Sequence, residues 1–155
     1  MRGLDVIESL YLPLGWRLTN IVEETQNQEY GGYRLQLNQV DIRFRIAKIT
    51  PKKIGQFVAF WEKVEGVNRP YSYGESPDLL VIYTEENAHK GHFVFPKATL
   101  KERGILSTEE TVGKMGIRIY PPWDKPTSLQ GKATQQWQLA YFTTNGEEMA
   151  RLYQK

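Results

Sequence analysis

The sequence predicts an α+β fold, with a mostly antiparallel mixed sheet and helices packed on one side. Three observations support this prediction. The chain opens with a short amphipathic segment, continues through several segments of alternating or continuous apolar residues, and closes with residues at helical spacing. Its 155 residues are 40% hydrophobic and 25% charged, as in a folded globular protein, and residues 1–155 are expected to form one domain.

The first half of the chain predicts a helix and a hairpin. Residues 4–12 place their apolar side chains on one helical face, and proline and glycine breakers follow. Residues 33–37 and 40–46 alternate between apolar and polar side chains, which is typical of half-buried strands. Asn38 and Gln39 lie between them, so we expect a tight turn there.

Later segments predict a turn, more strands and two further helices. Residues 79–83 are continuously apolar, which is typical of a central strand buried on both faces, and residues 92–97 alternate and are expected to pair with it. The remaining expected elements are a turn or single helical turn at residues 50–55 with Thr50 as its cap, strands at residues 56–64 and 116–120, a helix at residues 132–142 and a last helical turn or two at residues 147–153.

Composition excludes several classes of site. The chain has no cysteine, so it contains no disulfide, no thiolate nucleophile and no cysteine-ligated zinc. His89 and His92 lie too close together to supply the spread of imidazoles of a structural zinc site. Asp5 and Glu8 interrupt the N-terminal apolar stretch, and no apolar run reaches membrane-spanning length. We therefore expect a cytoplasmic protein with no membrane partner, and the sequence predicts no particular oligomeric state.

Positive charge is concentrated in two segments, although the formal net charge is only +2. Residues 42–61 contain five basic residues and no acid, and residues 113–141 contain four basic residues against Asp124 alone. The five basic residues of the first segment are Arg43, Arg45, Lys48, Lys52 and Lys53. This distribution predicts one basic face on a nearly neutral body, which suits a polyanionic partner.

Four segments carry a resemblance to a known family. In chain order, residues 44–58, 91–97, 116–123 and 134–138 are similar to signature segments of the MepB-like family. Together they span most of the chain, from about Tyr33 to Phe142. The resemblance identifies relatives of the chain but implies no particular activity for the protein.

The first of these segments contains a candidate anion site. Lys48 falls on the apolar face of the strand expected at residues 40–46, where a lysine can extend to solvent or point into a cleft. Thr50, Lys52 and Lys53 follow in a turn, where hydroxyl, ammonium and backbone N–H groups can meet one phosphate. The alternative interpretation is a solvated strand end.

The third and fourth segments add candidates for nucleic-acid contact. Trp123 lies in a proline-stiffened loop after Arg118, and its ring can either stack on a base or plug the end of the core. On the helix expected next, Lys132 and Gln136 share a face through their four-residue spacing. An amide side chain suits base edges or phosphates, and glutamine is also a good helix former, so both interpretations stay open.

Asp78 and Lys97 invite comparison with the PD-(D/E)xK nuclease pattern. In that pattern an aspartate begins one strand, and an acid and a lysine lie two residues apart on the next. Phe95 stands where the second metal-binding acid is required. Either the pair is a turn aspartate and a strand-end lysine, or the scaffold is restriction-endonuclease-like and has lost or relocated its acid. The candidates for a relocated acid are Glu62, Glu75 and Glu85.

We therefore predict a nucleic-acid-binding protein on a nuclease-like scaffold, without efficient catalysis and without a cofactor. The expected binding residues are Lys48, Thr50, Lys52, Lys53, Lys97, Arg118, Trp123, Lys132 and Gln136. One alternative is a divalent-metal nuclease or phosphodiesterase in which Asp78 and Lys97 are catalytic and Asp78 binds Mg²⁺. A second is an accessory protein that binds a protein or small molecule through the surface around Trp123.

Overall fold

The computed structural model describes residues 2–144 and 146–154, without the side chains of residues 146–148. The helices are α1 (Arg2–Tyr11), α2 (Lys97–Glu102), α3 (Leu129–Gln138) and α4 (Gly146–Leu152), with 3-10 helices at Leu12–Leu14, Thr25–Tyr30 and Leu139–Tyr141. The strands are β1 (Leu18–Glu23), β2 (Tyr33–Leu37), β3 (Val40–Ile46), β4 (Lys48–Ile49), β5 (Gln56–Ala59), β6 (Glu62–Val64), β7 (Val67–Arg69), β8 (Leu79–Glu86), β9 (His89–Pro96), β10 (Gly116–Ile119) and β11 (Phe142–Thr143). No helix in the described part of the chain has both the length and the apolar character needed to cross a bilayer.

A six-stranded sheet in the order β1-β2-β3-β8-β9-β11 organises the molecule. The β3 and β8 strands run parallel, and every other neighbouring pair in this sheet is antiparallel. Two parallel neighbours need a long connection between them. Residues 47–78 make that connection and contribute to two smaller sheets, β10-β5-β4 and β6-β7. The predicted α+β class with a mostly antiparallel mixed sheet is confirmed.

The predicted hairpin and central strand lie at the middle of this sheet. Asn38 and Gln39 join β2 to β3 with φ values of 50° and 72°, the conformation of a two-residue hairpin turn that matches strand twist. The first six residues of β8 are buried, as expected for a strand covered on both faces. Its partner β9 is antiparallel, with Leu79 opposite Pro96.

Helices contact both faces of the six-stranded sheet. On one face, Ile7 and Tyr11 of α1 pack in one cluster with Leu152 and Tyr153, so α1 and α4 lie on the same side of the sheet. The opposite face also receives a helix, because Leu100 of α2 packs with the β5-β10 side of the smaller sheet. Lys97, expected as the last residue of the strand at residues 92–97, is the first residue of α2 and follows the end of β9 at Pro96.

Three local features differ from the expected elements. The strand expected at residues 56–64 is divided into β5 and β6, because Trp61 N donates to the Asn27 side chain and so leaves the ladder with β10. The predicted helix begins earlier, at Leu129, because Ser128 Oγ accepts from Gly131 N and caps it. The prediction missed β1, whose register is interrupted by a bulge between Thr19 and Val22, so its side chains do not alternate.

A buried ionic cluster lies between the sheet and the 3-10 helix at Thr25–Tyr30. Arg45 is fully buried and donates to Glu24, Asn27 and the hydroxyl of Tyr71. Arg43 is 6% exposed, and its Nε lies 3.1 Å from the same Glu24 carboxylate. Burial alone would raise the pKa of Glu24, and the charges of Arg45 and Arg43 outweigh that effect and lower it. Neither arginine is therefore part of a basic surface, which corrects the charge distribution inferred from the sequence.

His92 is a second buried ionisable group, 1% exposed between Tyr83 and Thr143 in the sheet register. Its ring lies 6.0 Å from that of Tyr153, and neither ring nitrogen has a hydrogen-bond partner within residues 2–144 and 146–154. Burial disfavours the imidazolium form and lowers the pKa of His92 from 6.5 to about 4.

Stability should therefore fall with acidification through His92. Below pH 6.5 the unfolded state takes up the proton first, so the free energy of unfolding declines until the folded pKa near 4 is reached. The loss over this window is about 3 kcal/mol, since each pKa unit corresponds to about 1.36 kcal/mol. Urea unfolding of the His92→Leu variant at pH 7, 5.5 and 4 should show a correspondingly smaller acid loss. The exposed His89→Gln variant is the control, and an unchanged acid loss in His92→Leu would contradict the assignment.

Candidate nucleic-acid interface

The small β10-β5-β4 sheet has one buried and one outward face. Val58 and Ile119 are fully buried in the cluster that packs against the six-stranded sheet. Because side chains alternate along a strand, the intervening residues point away from that core. On the outward side, Phe57 lies opposite both Lys48 and Arg118 in the antiparallel register, so one row of side chains runs across all three strands.

Aromatic and cationic groups alternate along this row. Lys48 Nζ lies 4.9 Å from the centre of the Tyr30 ring, and the Tyr30 and Phe57 rings are 6.3 Å apart. Arg118 Cζ is 6.0 Å from the Phe57 ring centre on the other side. We call Tyr30, Lys48, Phe57 and Arg118 the aromatic–cationic surface. Such cation–π contacts contribute roughly 0.5–1 kcal/mol at exposed positions and hold the side chains in place.

The turn between β4 and β5 is fastened to this surface. Arg118 Nη1 donates to Thr50 Oγ1 at 3.0 Å and to Ile54 O at 3.4 Å. Lys52 and Lys53 are exposed at the tip of the same turn. The structure therefore gathers five of the residues singled out in the sequence: Lys48, Thr50, Lys52, Lys53 and Arg118. The turn itself is not a helical turn capped by Thr50.

The surface continues toward the start of α3 through Tyr120. A Cβ on Gly55 would lie 2.8 Å from the Tyr120 ring, and a Cβ on Gly131 would lie 3.4 Å from the Tyr120 hydroxyl. Tyr120 thus bridges the turn and the first residues of α3. Lys132 and Gln136 are exposed on that helix.

Two neighbouring glutamines are used by the protein itself. Gln138 is buried, accepts from Tyr120 N at 2.9 Å and donates to Arg118 O at 3.1 Å. Gln135 donates to Pro121 O at 3.0 Å and to Asp124 O at 2.8 Å. These contacts attach α3 to β10 and to the loop that follows it. Of Gln135, Gln136 and Gln138, only Gln136 has an exposed side chain.

Trp123 lies away from the row. Its ring stacks on His89 at 5.1 Å and meets Phe142 edge-on at 5.9 Å, which matches the packing interpretation of this residue. His89 begins β9 and Lys97 follows its end, so Trp123 and Lys97 are about 25 Å apart along that strand. One compact site cannot include both.

Asp78 and Lys97 are neighbours across β8 and β9, but their side chains point to different partners. Lys97 N donates to Asp78 O at 3.0 Å. The Asp78 carboxylate accepts from Asp41 N at 3.0 Å, while Lys97 Nζ lies 4.9 Å from the Tyr73 ring. Phe95 is fully buried.

The candidate relocated acids are engaged elsewhere. Glu85 is at the far end of β8 and pairs with Arg2 at 3.2 Å. Glu62 and Glu75 both pair with Arg69. In the described ranges, no three carboxylate or imidazole side chains are grouped to hold a metal ion.

Sequence reasoning missed Tyr30 and Phe57. The outward position of Phe57 was predictable, because it is next to the buried Val58 in an expected strand and so points to the opposite face from the core residues. Tyr30 gave no such signal. It reaches the surface only because the 3-10 helix at Thr25–Tyr30 folds back beside β4.

Comparisons with known proteins agree with the sequence resemblance. The sequence profile of the MepB-like family matches residues 24–144. The crystal structure of MepB is 34% identical, superposes with a TM-score of 0.83, and the match covers 94% of this chain and 99% of that one. The bacterial homing endonuclease I-Ssp6803I is 14% identical with a TM-score of 0.49, over 99% of this chain and 93% of that one, a similarity too low to carry its function over. No curated protein sequence matches.

Replacing Gly55 should disturb the turn that carries Lys52 and Lys53. Gly55 has a φ of +88°, and a Cβ there would lie 2.8 Å from Ile119 O. Gly66 also has a positive φ, +80°, but nothing lies within 4 Å of its Cβ position. Gly66→Ala should thus cost about 1–2 kcal/mol from backbone strain alone. We expect Gly55→Ala to cost clearly more in urea unfolding, and equal losses would contradict the close approach.

Proposed function

The chain belongs to the MepB-like family, and from that premise we propose that it binds nucleic acid through the aromatic–cationic surface, without efficient cleavage. The observation that carries the proposal is the row in which Phe57 lies between Lys48 and Arg118 on an outward sheet face. Phosphate groups of a nucleic acid are bound by cationic side chains, and bases stack on aromatic rings at about 1–3 kcal/mol each. Alternation of the two kinds of group therefore suits a strand whose phosphates and bases alternate in the same way.

The local charge balance supports an anionic partner. Lys52 and Lys53 add two exposed cations beside the row, and Lys132 adds a third on α3. Glu29 contacts the surface, with its carboxylate 3.7 Å from Lys48 and its own side chain 69% exposed. Exposed ion pairs of this kind contribute at most about 1 kcal/mol, so a phosphate can displace the carboxylate.

Weak or absent cleavage is proposed because the Asp78 carboxylate is used as a backbone acceptor. It accepts a hydrogen bond from Asp41 N where the parallel pairing of β3 and β8 begins, so the carboxylate stabilises the junction of these two strands. The buried Phe95 offers no ligand to a metal beside it. A divalent metal needs several oxygen ligands, and among the described residues no three histidine, aspartate or glutamate side chains are grouped to hold one.

Removing the cations of the turn should weaken oligonucleotide binding in a salt-dependent manner. For the Lys52→Ala/Lys53→Ala variant, we expect the slope of log affinity against log salt to fall by one to two units, since each phosphate contact contributes about 0.7–0.9. Fluorescence anisotropy with labelled oligonucleotides measures this slope between about 25 and 200 mM salt. This range includes 0.1 M, where the Debye length is roughly 10 Å.

The matched control for that experiment is Lys63→Ala/Lys90→Ala, which removes the same charge from exposed positions on β6 and β9. It should leave the slope nearly unchanged. Equal effects of the two double variants would mean that net charge alone is responsible. If wild-type protein binds no oligonucleotide at low salt, the nucleic-acid proposal is wrong, and the accessory-protein alternative takes its place.

The Asp78→Asn variant tests the catalytic alternative. Asparagine keeps an acceptor oxygen for Asp41 N, so we expect an intact fold and oligonucleotide binding that is unchanged or slightly tighter after loss of one negative charge. Incubation of wild-type protein with labelled oligonucleotide and Mg²⁺ should give little or no product. Mg²⁺-dependent cleavage that disappears in both Asp78→Asn and Lys97→Ala would establish the nuclease instead.

A further inference from the structure

Two buried polar side chains between the six-stranded sheet and the β10-β5-β4 sheet have no hydrogen-bond partner. Thr84 is 0% exposed and Gln56 is 1% exposed. Within the part of the chain that the structure describes, neither the Thr84 hydroxyl nor either amide atom of Gln56 makes a hydrogen bond, and the same is true of the buried Oδ2 of Asp124. Buried polar atoms are almost always paired with protein groups, ordered water or an ion, so these side chains indicate a bound ion or water.

Thr84 and Glu86 lie on the face of β8 that the small sheet covers. Ile82 of β8 packs in the cluster that contains Val58 and Ile119 of the small sheet. Side chains alternate along a strand, so Thr84 and Glu86 continue the same face toward the end of β8.

The loop after β10 lies over this end of β8. Trp123 of the loop stacks on His89 with 5.1 Å between ring centres, and His89 lies opposite Glu86 in the β8–β9 ladder. Asp124 is the next residue of the loop, and its pKa is raised by burial and by the negative charge of Glu86. The carboxylates of Glu86 and Asp124 are therefore close enough to repel each other.

Gln56 approaches the same end from the small sheet. It points into the layer between the sheets, and it lies opposite Ile119, the last residue of β10. The chain then turns back on itself, because Asp124 N donates to Pro121 O at 3.0 Å. Asp124 consequently stays beside the end of β10, where Gln56 begins β5.

No protein cation balances the two carboxylates. Across residues 2–144 and 146–154, neither Glu86 nor Asp124 forms an ion pair. The adjacent Lys125 donates to Pro122 O at 3.3 Å instead. Partly buried carboxylates without a counter-charge are unfavourable, so a positive ion suits this place better than water alone.

We infer that Glu86 and Asp124 hold a hydrated Mg²⁺ ion, with Thr84 Oγ1 and Gln56 Oε1 accepting hydrogen bonds from its waters. Mg²⁺ prefers oxygen ligands, keeps several of its waters and is commonly bound through only one or two carboxylates. Such a site needs fewer protein ligands than a metal that has lost its water.

The site is separate from both functions considered above. Asp78 precedes the other end of β8, about 26 Å from Glu86 along the strand, so this ion has no part in the nuclease alternative. Its argument uses no residue of the aromatic–cationic surface, so it does not depend on nucleic-acid binding.

MgCl₂ is the probe. Urea unfolding of the whole chain is measured in EDTA and then in MgCl₂ between about 0.1 and 10 mM, which covers the affinities of weak cation sites. An ion that binds only the folded state raises the unfolding midpoint in a saturable way. We expect this rise in MgCl₂ and not in NaCl of equal ionic strength, together with a saturable shift of the Trp123 indole N–H resonance.

Asp124→Asn and Glu86→Gln should each weaken the apparent Mg²⁺ affinity at least about tenfold, since the affinity of such sites depends on the number of charged ligands. The fold should be kept in Asp124→Asn, because Asp124 contacts Gln135 and Pro121 through its backbone O and N. Glu110→Gln removes one exposed carboxylate elsewhere and is the matched control, with a wild-type response to Mg²⁺.

Thr84→Val separates the bound ion from a general effect of charge, because it alters no charge. The hydroxyl has no partner in the fold, so in EDTA the variant should be at least as stable as wild type, and in MgCl₂ it should gain less. Equal midpoints of wild type in MgCl₂ and NaCl, or an equal Mg²⁺ response in wild type and Asp124→Asn, would overturn the inference.

Discussion

The arrangement of the whole molecule depends on one carboxylate, Glu24, between two buried arginines. Arg45 also donates to Ala59 O on β5, so the ionic cluster joins the six-stranded sheet to the sheet that carries the candidate interface. Its guanidinium passes so close to Gly32 that a Cβ there would lie 2.7 Å from Nη1. A buried charge that loses its partner costs about 3–5 kcal/mol, so this junction holds the two sheets in one relative position.

The same cluster fixes the segment that supplies Tyr30. Asn27 Oδ1 accepts from both Arg45 Nη2 and Trp61 N, which anchors the 3-10 helix at Thr25–Tyr30 to β3 and to the end of β5. Tyr30 follows three residues later and meets Lys48 and Phe57. The outward surface is therefore positioned by polar contacts within the core.

Elements that alternate or are uniformly apolar were predictable from the sequence. The hairpin at Asn38-Gln39, the central strand β8 and its pairing with β9 follow from local patterns that the fold leaves intact. The burial of Arg43 and Arg45 was not predictable, because a strand with polar residues on one face has the pattern of a solvent-exposed strand even when another part of the chain covers that face. The same limit applies to the candidate site. The turn at Lys52 and Lys53 is local in sequence and was found, whereas Tyr30 arrives through a long-range contact, and the direction of the Asp78 carboxylate depends on Asp41 of a different strand.

The side chain of Gln138 covers the open edge of β10. By accepting from Tyr120 N and donating to Arg118 O, its side-chain amide occupies two of the backbone groups that a further strand would use to pair with β10. An open strand edge recruits other chains, and proteins commonly cover such edges to avoid aggregation. A single side chain from α3 covers this edge, so the small sheet ends at β10 and these two groups are not offered to a strand of another chain.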